Sequence, residues 1–163
     1  MSYDQLARVY DELYSGEQVA KIQVALELQP PLEPVLDVGC GTGLLLSLLD
    51  CYAVGLDLSA GMLKVAKSRV VRGDLVRGDA ARMPFRDRCF RTIYSVTVVH
   101  EAPSMVDEVL RVLKEGSGGV LTLLKKRLEL LPSILARLPH SQVLDFGGLK
   151  DMFIVFWKTA SNS

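Results

Sequence analysis

Asp37, Asp57 and Asp79 each stand at or near the end of a short apolar run, and a fourth run leads into His100 and Glu101. An ionised carboxylate accepts hydrogen bonds from hydroxyl and amino groups, so acids in such places can hold a polar ligand. An imidazole or carboxylate whose pKa lies near the working pH can also take a proton from a reacting group. The run around Asp37 says most. Val35-Leu36-Asp37-Val38-Gly39-Cys40-Gly41-Thr42-Gly43 joins an apolar strand to a turn with glycines at alternate positions. Lacking a Cβ, such glycines let the backbone take positive φ and come within contact of a bound molecule. Leu44-Leu45-Leu46-Ser47-Leu48-Leu49 follows, apolar and long enough to begin a helix that packs back on the sheet.

The glycine spacing decides which ligand the turn serves. The dinucleotide fingerprint G-x-G-x-x-G, begun at Gly39, needs a small residue where Leu44 stands, and begun at Gly41 it fails at Leu46. A nicotinamide-dependent oxidoreductase is disfavoured on that ground. The alternate-glycine form, with Asp37 two residues ahead of Gly39, resembles motif I of the class I, Rossmann-like methyltransferases that use S-adenosylmethionine (SAM).

Further segments extend the resemblance from about Tyr10 to Leu124, with the motifs in order. Tyr52-Ala53-Val54-Gly55-Leu56 reads as a second strand ending at Asp57, the acid that the resemblance makes the ribose ligand. Its two oxygens can accept charge-assisted bonds from adjacent hydroxyls. The run from Leu58 through Met62 to Ala66 fits the polar turn and helix of the family, capped by Ser59. By the same resemblance Asp79 and the Ala80 amide approach the adenine, with Met62 and Met83 on its faces. Asp37, Gly39, Cys40, Gly41, Gly43 and Leu58 complete the expected cofactor contacts, and Tyr10, in Val9-Tyr10-Asp11-Glu12-Leu13-Tyr14, is the aromatic residue laid over the donor. The fourth strand should end near Ser95 or Val96, so that Ser95 contacts the cofactor and the residues after it face the transferred methyl group. His100 is the expected general base, Glu101 the second candidate and Tyr14 a third, on the acceptor side.

Each assignment has a structural alternative. His100 can satisfy a strand-end carbonyl, Glu101 can be an early helix-turn acid, Asp57 a turn or cap residue, Tyr10 a core residue and Cys40 a small filler. The Asn/Asp-Pro-Pro-Tyr/Phe signature of amino-group methyltransferases is replaced here by Ser95-Val96-Thr97-Val98. The resemblance is therefore to the small-molecule, ubiquinone-biosynthesis-like (type 11) subgroup. It implies transfer to a small-molecule acceptor. The chain carries almost no insertion that would form a lid, which keeps open an RNA or protein methyltransferase completed by a partner subunit or a homodimer. A non-catalytic SAM-binding protein is a further alternative.

The surrounding elements follow from periodicity and breakers. Residues 3–29 carry apolar positions at helical spacing, read as two helices broken near Ser15-Gly16, and Pro30-Pro31 ends the second. Ser104-Met105-Val106-Asp107 signals the start of a helix that runs through Glu108-Val109-Leu110-Arg111-Val112-Leu113-Lys114-Glu115-Gly116. A fifth strand over 120–124, a basic turn at Lys125-Lys126-Arg127 and a helix over about 129–138 come next. Two strands over 142–146 and 152–157 are separated by a hairpin-like break. The expectation is one α/β domain over residues 1–163, with a helical cap at 1–31 and a SAM-binding core at 32–163. The resemblance supplies its architecture: a three-layer sandwich around a mostly parallel seven-stranded sheet, order 3-2-1-4-5-7-6, with strand 7 antiparallel. Ligands of such open sheets bind beyond the carboxyl ends of the strands, where strand order reverses.

Composition bounds the rest. Nineteen basic residues balance 19 acidic ones, so no global charge draws the chain to nucleic acid or to anionic membranes. Three cysteines, Cys40, Cys51 and Cys89, show no C-x-x-C pairing or nearby histidines, which argues against a metal and suits a reducing compartment. No apolar run approaches the ~20 residues that span a bilayer, and the polar start lacks a signal pattern. A cytoplasmic enzyme without a membrane partner is expected.

Overall fold

The structure, a computed structural model, describes residues 2–160, with side chains throughout that span except at 3, 4 and 6–15. It opens on a helix, α1 (Tyr3–Leu28), started by a reciprocal box in which the Ser2 hydroxyl accepts from the Gln5 amide and the Gln5 side chain accepts from the Ser2 amide. This corrects the expected break near Ser15-Gly16. Gly16 is exposed and lies mid-helix, where a glycine costs only about 1 kcal/mol, less than the buried Ile22 and Ala25 of the later turns contribute.

Seven strands follow: β1 (Val35–Val38), β2 (Ala53–Asp57), β3 (Gly73–Arg77), β4 (Phe90–Val96), β5 (Leu113–Leu124), β6 (Ser141–Asp145) and β7 (Asp151–Trp157). They form one sheet in the order β3-β2-β1-β4-β5-β7-β6, parallel except at β7. The order and the antiparallel seventh strand are those expected. Val35 lies opposite both Ala53 and Thr92, so β1 is central and β2 and β4 flank it.

Alternating side chains build a core on each face. On one face Leu36, Val38, Ile93, Leu121 and Ile154 meet α4 (Met105–Val112) and α5 (Leu131–Arg137). On the other, Val35, Ala53, Tyr94, Val120 and Phe153 meet Ile22 and Ala25 of α1 and Leu45 and Leu46 of α2 (Leu44–Ser47). A third helix, α3 (Ala60–Ala66), packs beside α1 on that face. In α4, Met105, Val106, Val109 and Val112 are wholly buried at helical spacing. Each such side chain contributes roughly 1.5–3 kcal/mol of transfer free energy.

Two local expectations are corrected. Lys114, Glu115 and Gly116 belong to β5 and not to the tail of α4, because Leu113 already pairs with Phe90 and the Gly116 amide donates to the Lys158 carbonyl. The start of α4 is where expected, with Ser104 at its N-cap; the Ser104 hydroxyl makes no capping bond, and the acids Asp107 and Glu108 stand in the first turn. Residues 125–130 form a 3-10 helix, so the helix expected from about 129 starts at Leu131, with proline in its first turn.

Candidate functional site

The loop after β1 turns on three glycines with φ of 72° at Gly39, 54° at Gly41 and 83° at Gly43. The amides of Gly39 and Cys40 both donate to the Leu56 carbonyl, at 2.7 and 3.0 Å, which ties the loop to β2. A Cβ at Gly39 would lie 2.5 Å from a methyl of Val98, so the loop and the turn after β4 touch through that missing atom. At Gly41 a Cβ would meet nothing within 4 Å and would project into open space.

That space is a cavity of about 530 Å³ over the carboxyl ends of β1, β2 and β4, at the reversal of strand order. Asp37, Asp57, Asp79 and Glu101 lie on its wall, and no basic residue does among the described residues. Asp57 is fixed by two backbone donors: the Gly41 amide to Oδ2 and the Ser59 amide to Oδ1, each at 2.9 Å. Ser59 in turn caps α3 by accepting from the Met62 amide at 3.2 Å. Asp37 is buried, and that burial, reinforced by the charge of Asp57, holds its pKa well above the ordinary carboxylate range. Burial together with both carboxylates pushes the Cys40 thiol far above its usual range, so it stands in the wall as an uncharged filler.

The cavity gathers many of the expected residues. Gly39, Cys40, Gly41, Asp37, Asp57, Leu58, Met62, Asp79 and Ala80 all line it. Gly43 closes the turn below them, its amide donating to the Cys40 carbonyl at 3.0 Å. Leu58 is 65% exposed, an apolar side chain left open at the cavity. Asp79 accepts from the Ala81 amide at 2.9 Å, which sets the loop after β3. Met83 is buried in the core and does not reach the wall. Ser95 is wholly buried and off the wall, its hydroxyl donating to the Val38 carbonyl at 2.9 Å. His100 also lies off the wall, its Nε2 3.8 Å from Glu101 Oε1, whereas Glu101 is on the wall and its side chain is 73% exposed. The side chains of Tyr10 and Tyr14 lie outside the described residues.

Sequence reasoning missed several residues here. Gln18 and Ile22 of α1 line the cavity, as does Thr97, one of the residues after β4 expected to face the methyl group. Lys21 and Asp151 form a buried ion pair beneath Thr97, with Nζ 3.0 Å from Oδ1. A lysine beside Ile22 on the packed face of α1 and an acid opening an apolar strand are the only local signals, and 130 residues separate them. Arg111 is the other omission. Its guanidinium donates to the Met83 and Phe85 carbonyls at 3.0 and 2.8 Å and pairs with Glu108 and Asp87, staging the loop that carries Asp79 and Ala80. Hydrogen bonds from Arg111 hold the carboxyls of both partners below their ordinary range.

Residues 36–121 match the methyltransferase domain family. A demethylmenaquinone methyltransferase of Symbiobacterium thermophilum is 31% identical over 179 residues, covering 96% of this chain and 64% of the relative. The chain spans less than two thirds of the length of the curated relatives it matches. Among solved structures, the complex between the Haloferax volcanii Trm112 methyltransferase activator and a methyltransferase contains a chain similar at a TM-score of 0.76 and 16% identity, covering 98% of both chains. The Haemonchus contortus phosphoethanolamine N-methyltransferase 2, solved with S-adenosylhomocysteine, is similar at a TM-score of 0.75 and 15% identity, covering 96% of this chain and 58% of that one. Likeness at such identity shows the fold. No described helix is long and apolar enough to cross a membrane. By its matched core, its sheet order and its glycine loop, this chain belongs to the methyltransferase domain family of type 11, Rossmann-like and dependent on SAM.

Proposed function

We propose that the chain binds SAM in the cavity over β1, β2 and β4 and directs its methyl group to a small-molecule acceptor. The observation that carries this reading is the Asp57 carboxylate, held at the cavity by the amides of Gly41 and Ser59. A carboxylate offers about four lone-pair sites, so two fixed bonds leave capacity on both oxygens for a ribose diol. Asp37 supports the same ligand. A carboxyl whose ionisation burial penalises gains from an incoming cation, and the donor carries an ammonium and a sulfonium. Leu58 and Met62 offer apolar cover for a flat base beside Asp79 and Ala80. The volume lies within the ~300–1,000 Å³ of ordinary ligand pockets.

When bound, SAM supplies a methyl group already activated on cationic sulfur. The chain's own part is to hold the donor, exclude water and align the acceptor, a contribution worth several orders of magnitude in rate. Thr97, Val98 and Ala102 wall the side where an acceptor would enter, and Glu101 at the rim can take its proton where the acceptor is a phenol or an acidic carbon.

Calorimetry with SAM, its demethylated product and NAD tests the cofactor. Binding of SAM is expected, and absence of SAM binding, or preference for NAD, overturns the reading. Turnover of labelled SAM against quinols, amines, RNA and protein tests the acceptor. A second reading is favoured by one feature: the β4–β5 connection holds only a short turn and α4, and among the described residues no insertion covers the cavity. An RNA or protein acceptor, reached with a partner subunit or a second copy, then predicts turnover only after the partner is added. Tight SAM binding without turnover on any acceptor points instead to a non-catalytic SAM-binding protein.

A further inference from the structure

Four elements meet at one buried point beneath the cavity. Lys21 comes from α1, Asp151 opens β7, Thr122 lies in β5 and Thr97 follows β4. Lys21 and Asp151 have side chains only 5% and 0% exposed. Asp151 Oδ2 accepts from the hydroxyls of Thr97 and Thr122, at 2.6 and 2.7 Å. The Thr97 amide donates to the Thr122 hydroxyl at 2.8 Å, and Lys21 Nζ donates to the Thr97 hydroxyl at 3.3 Å. Asp151 Oδ1 receives the lysine's charge at 3.0 Å without an aligned hydrogen bond. Every polar atom of the Thr97 side chain and amide is thus held by this network.

Thr97 needs holding. Its φ is 60°, a left-handed conformation that a β-branched residue resists. Thr97 lines the cavity, and the next residue, Val98, fills the space that a Cβ on Gly39 would take. A relaxed Thr97 would therefore carry Val98 away from the glycine loop. Stability does not explain the ion pair, because well-packed apolar residues of similar volume often serve a buried site as well or better.

We propose that Lys21 and Asp151 are positioning residues: their buried pair latches Thr97 in its left-handed turn and so sets the cavity wall that faces the donated methyl group. The second half of that statement rests on the SAM reading; the latch itself does not. The test uses the whole chain carrying Lys21→Met and Asp151→Leu together, with and without Thr97→Gly, since glycine adopts the turn unaided.

Hydrogen exchange in the ligand-free protein reads the latch. Exchange over residues 97–102 should quicken about tenfold in the paired variant while β1 and β4 stay protected, and Thr97→Gly should slow it again. Calorimetry reads the consequence: SAM affinity should fall about tenfold and return with Thr97→Gly. Thr97→Val, which spares the ion pair, provides the same exchange readout should the paired variant not fold. Unchanged exchange in the variants, or a loss that Thr97→Gly does not restore, overturns the latch. Parent protein that fails to bind SAM overturns the cofactor reading alone, and the exchange result still decides the latch.

Discussion

The Gly41 amide donates to Oδ2 of Asp57 at 2.9 Å, joining the loop after β1 to the end of β2 at the cavity wall. One carboxylate thus shapes the glycine loop and presents acceptor sites to a ligand. Asp57→Ala removes both functions. Hydrogen bonds to a charged group contribute about 1.5–3 kcal/mol, so SAM affinity should fall roughly 10- to 100-fold by calorimetry. Asp57→Asn keeps one carbonyl oxygen and should lose less. Equal affinity in Asp57→Ala and the parent would remove Asp57 from the site.

Asp37 makes the site sensitive to pH. Its folded-state pKa is raised, mainly by burial and then by Asp57, so the folded chain holds a proton that the unfolded chain releases at lower pH. Stability from this residue is full in acid and declines as pH climbs above the ordinary carboxylate range, where ionising it inside the fold becomes costly. Asp37→Asn should therefore raise the ligand-free thermal midpoint at neutral pH and lose that advantage in acid. SAM, a cation, favours the ionised form, so parent affinity should climb with pH over the same window and binding should release a proton. Calorimetry in buffers of different ionisation enthalpy measures that release. A flat pH profile in the parent would show that Asp37 does not face the donor.

Much of this site was legible because its signals are local. The glycines from Gly39 to Gly43 and Asp57 at the end of a five-residue strand declare themselves within a few positions, and the apolar runs before them declare buried strands. What escaped depends on partners distant in sequence. Lys21 carries no sign of its partner until Asp151 is beside it, and Met83 reads as a ring contact until it is found packed in the core. Ser95 points elsewhere because alternation in β4 turns it to the Val38 carbonyl and leaves Val96 at the cavity, where the left-handed turn after the strand brings Thr97 too. The unbroken α1 shows the limit of a local breaker, since a single glycine is outweighed by the burial of Ile22 and Ala25 in the turns after it.

Glu101 and His100 are adjacent, yet only Glu101 reaches the cavity wall. On whichever acceptor the labelled-donor assays identify, Glu101→Gln should lower kcat by about 10²- to 10⁴-fold where a proton must leave, with SAM affinity intact. His100→Ala should keep most of the turnover. The reverse result would show that the turn rearranges to bring His100 inward. Full activity of Glu101→Gln at every pH would leave alignment of donor and acceptor as the chain's whole contribution.

Gly39 and Gly41 both have positive φ, but their missing side chains face different surroundings, which separates folding from binding. Alanine at either position carries a backbone cost of about 1–2 kcal/mol. At Gly39 the new methyl also overlaps Val98, and overpacking adds typically ~1–3 kcal/mol. Gly39→Ala should therefore lower the thermal midpoint well below that of Gly41→Ala, at roughly 2–4 °C per kcal/mol for a chain of this size. In Gly41→Ala the methyl enters open space at the cavity wall, so the protein should fold and yet bind SAM poorly. Thermal melts and calorimetry on the two variants provide the contrast. Tight SAM binding by Gly41→Ala would mean that the donor does not pass over the glycine loop.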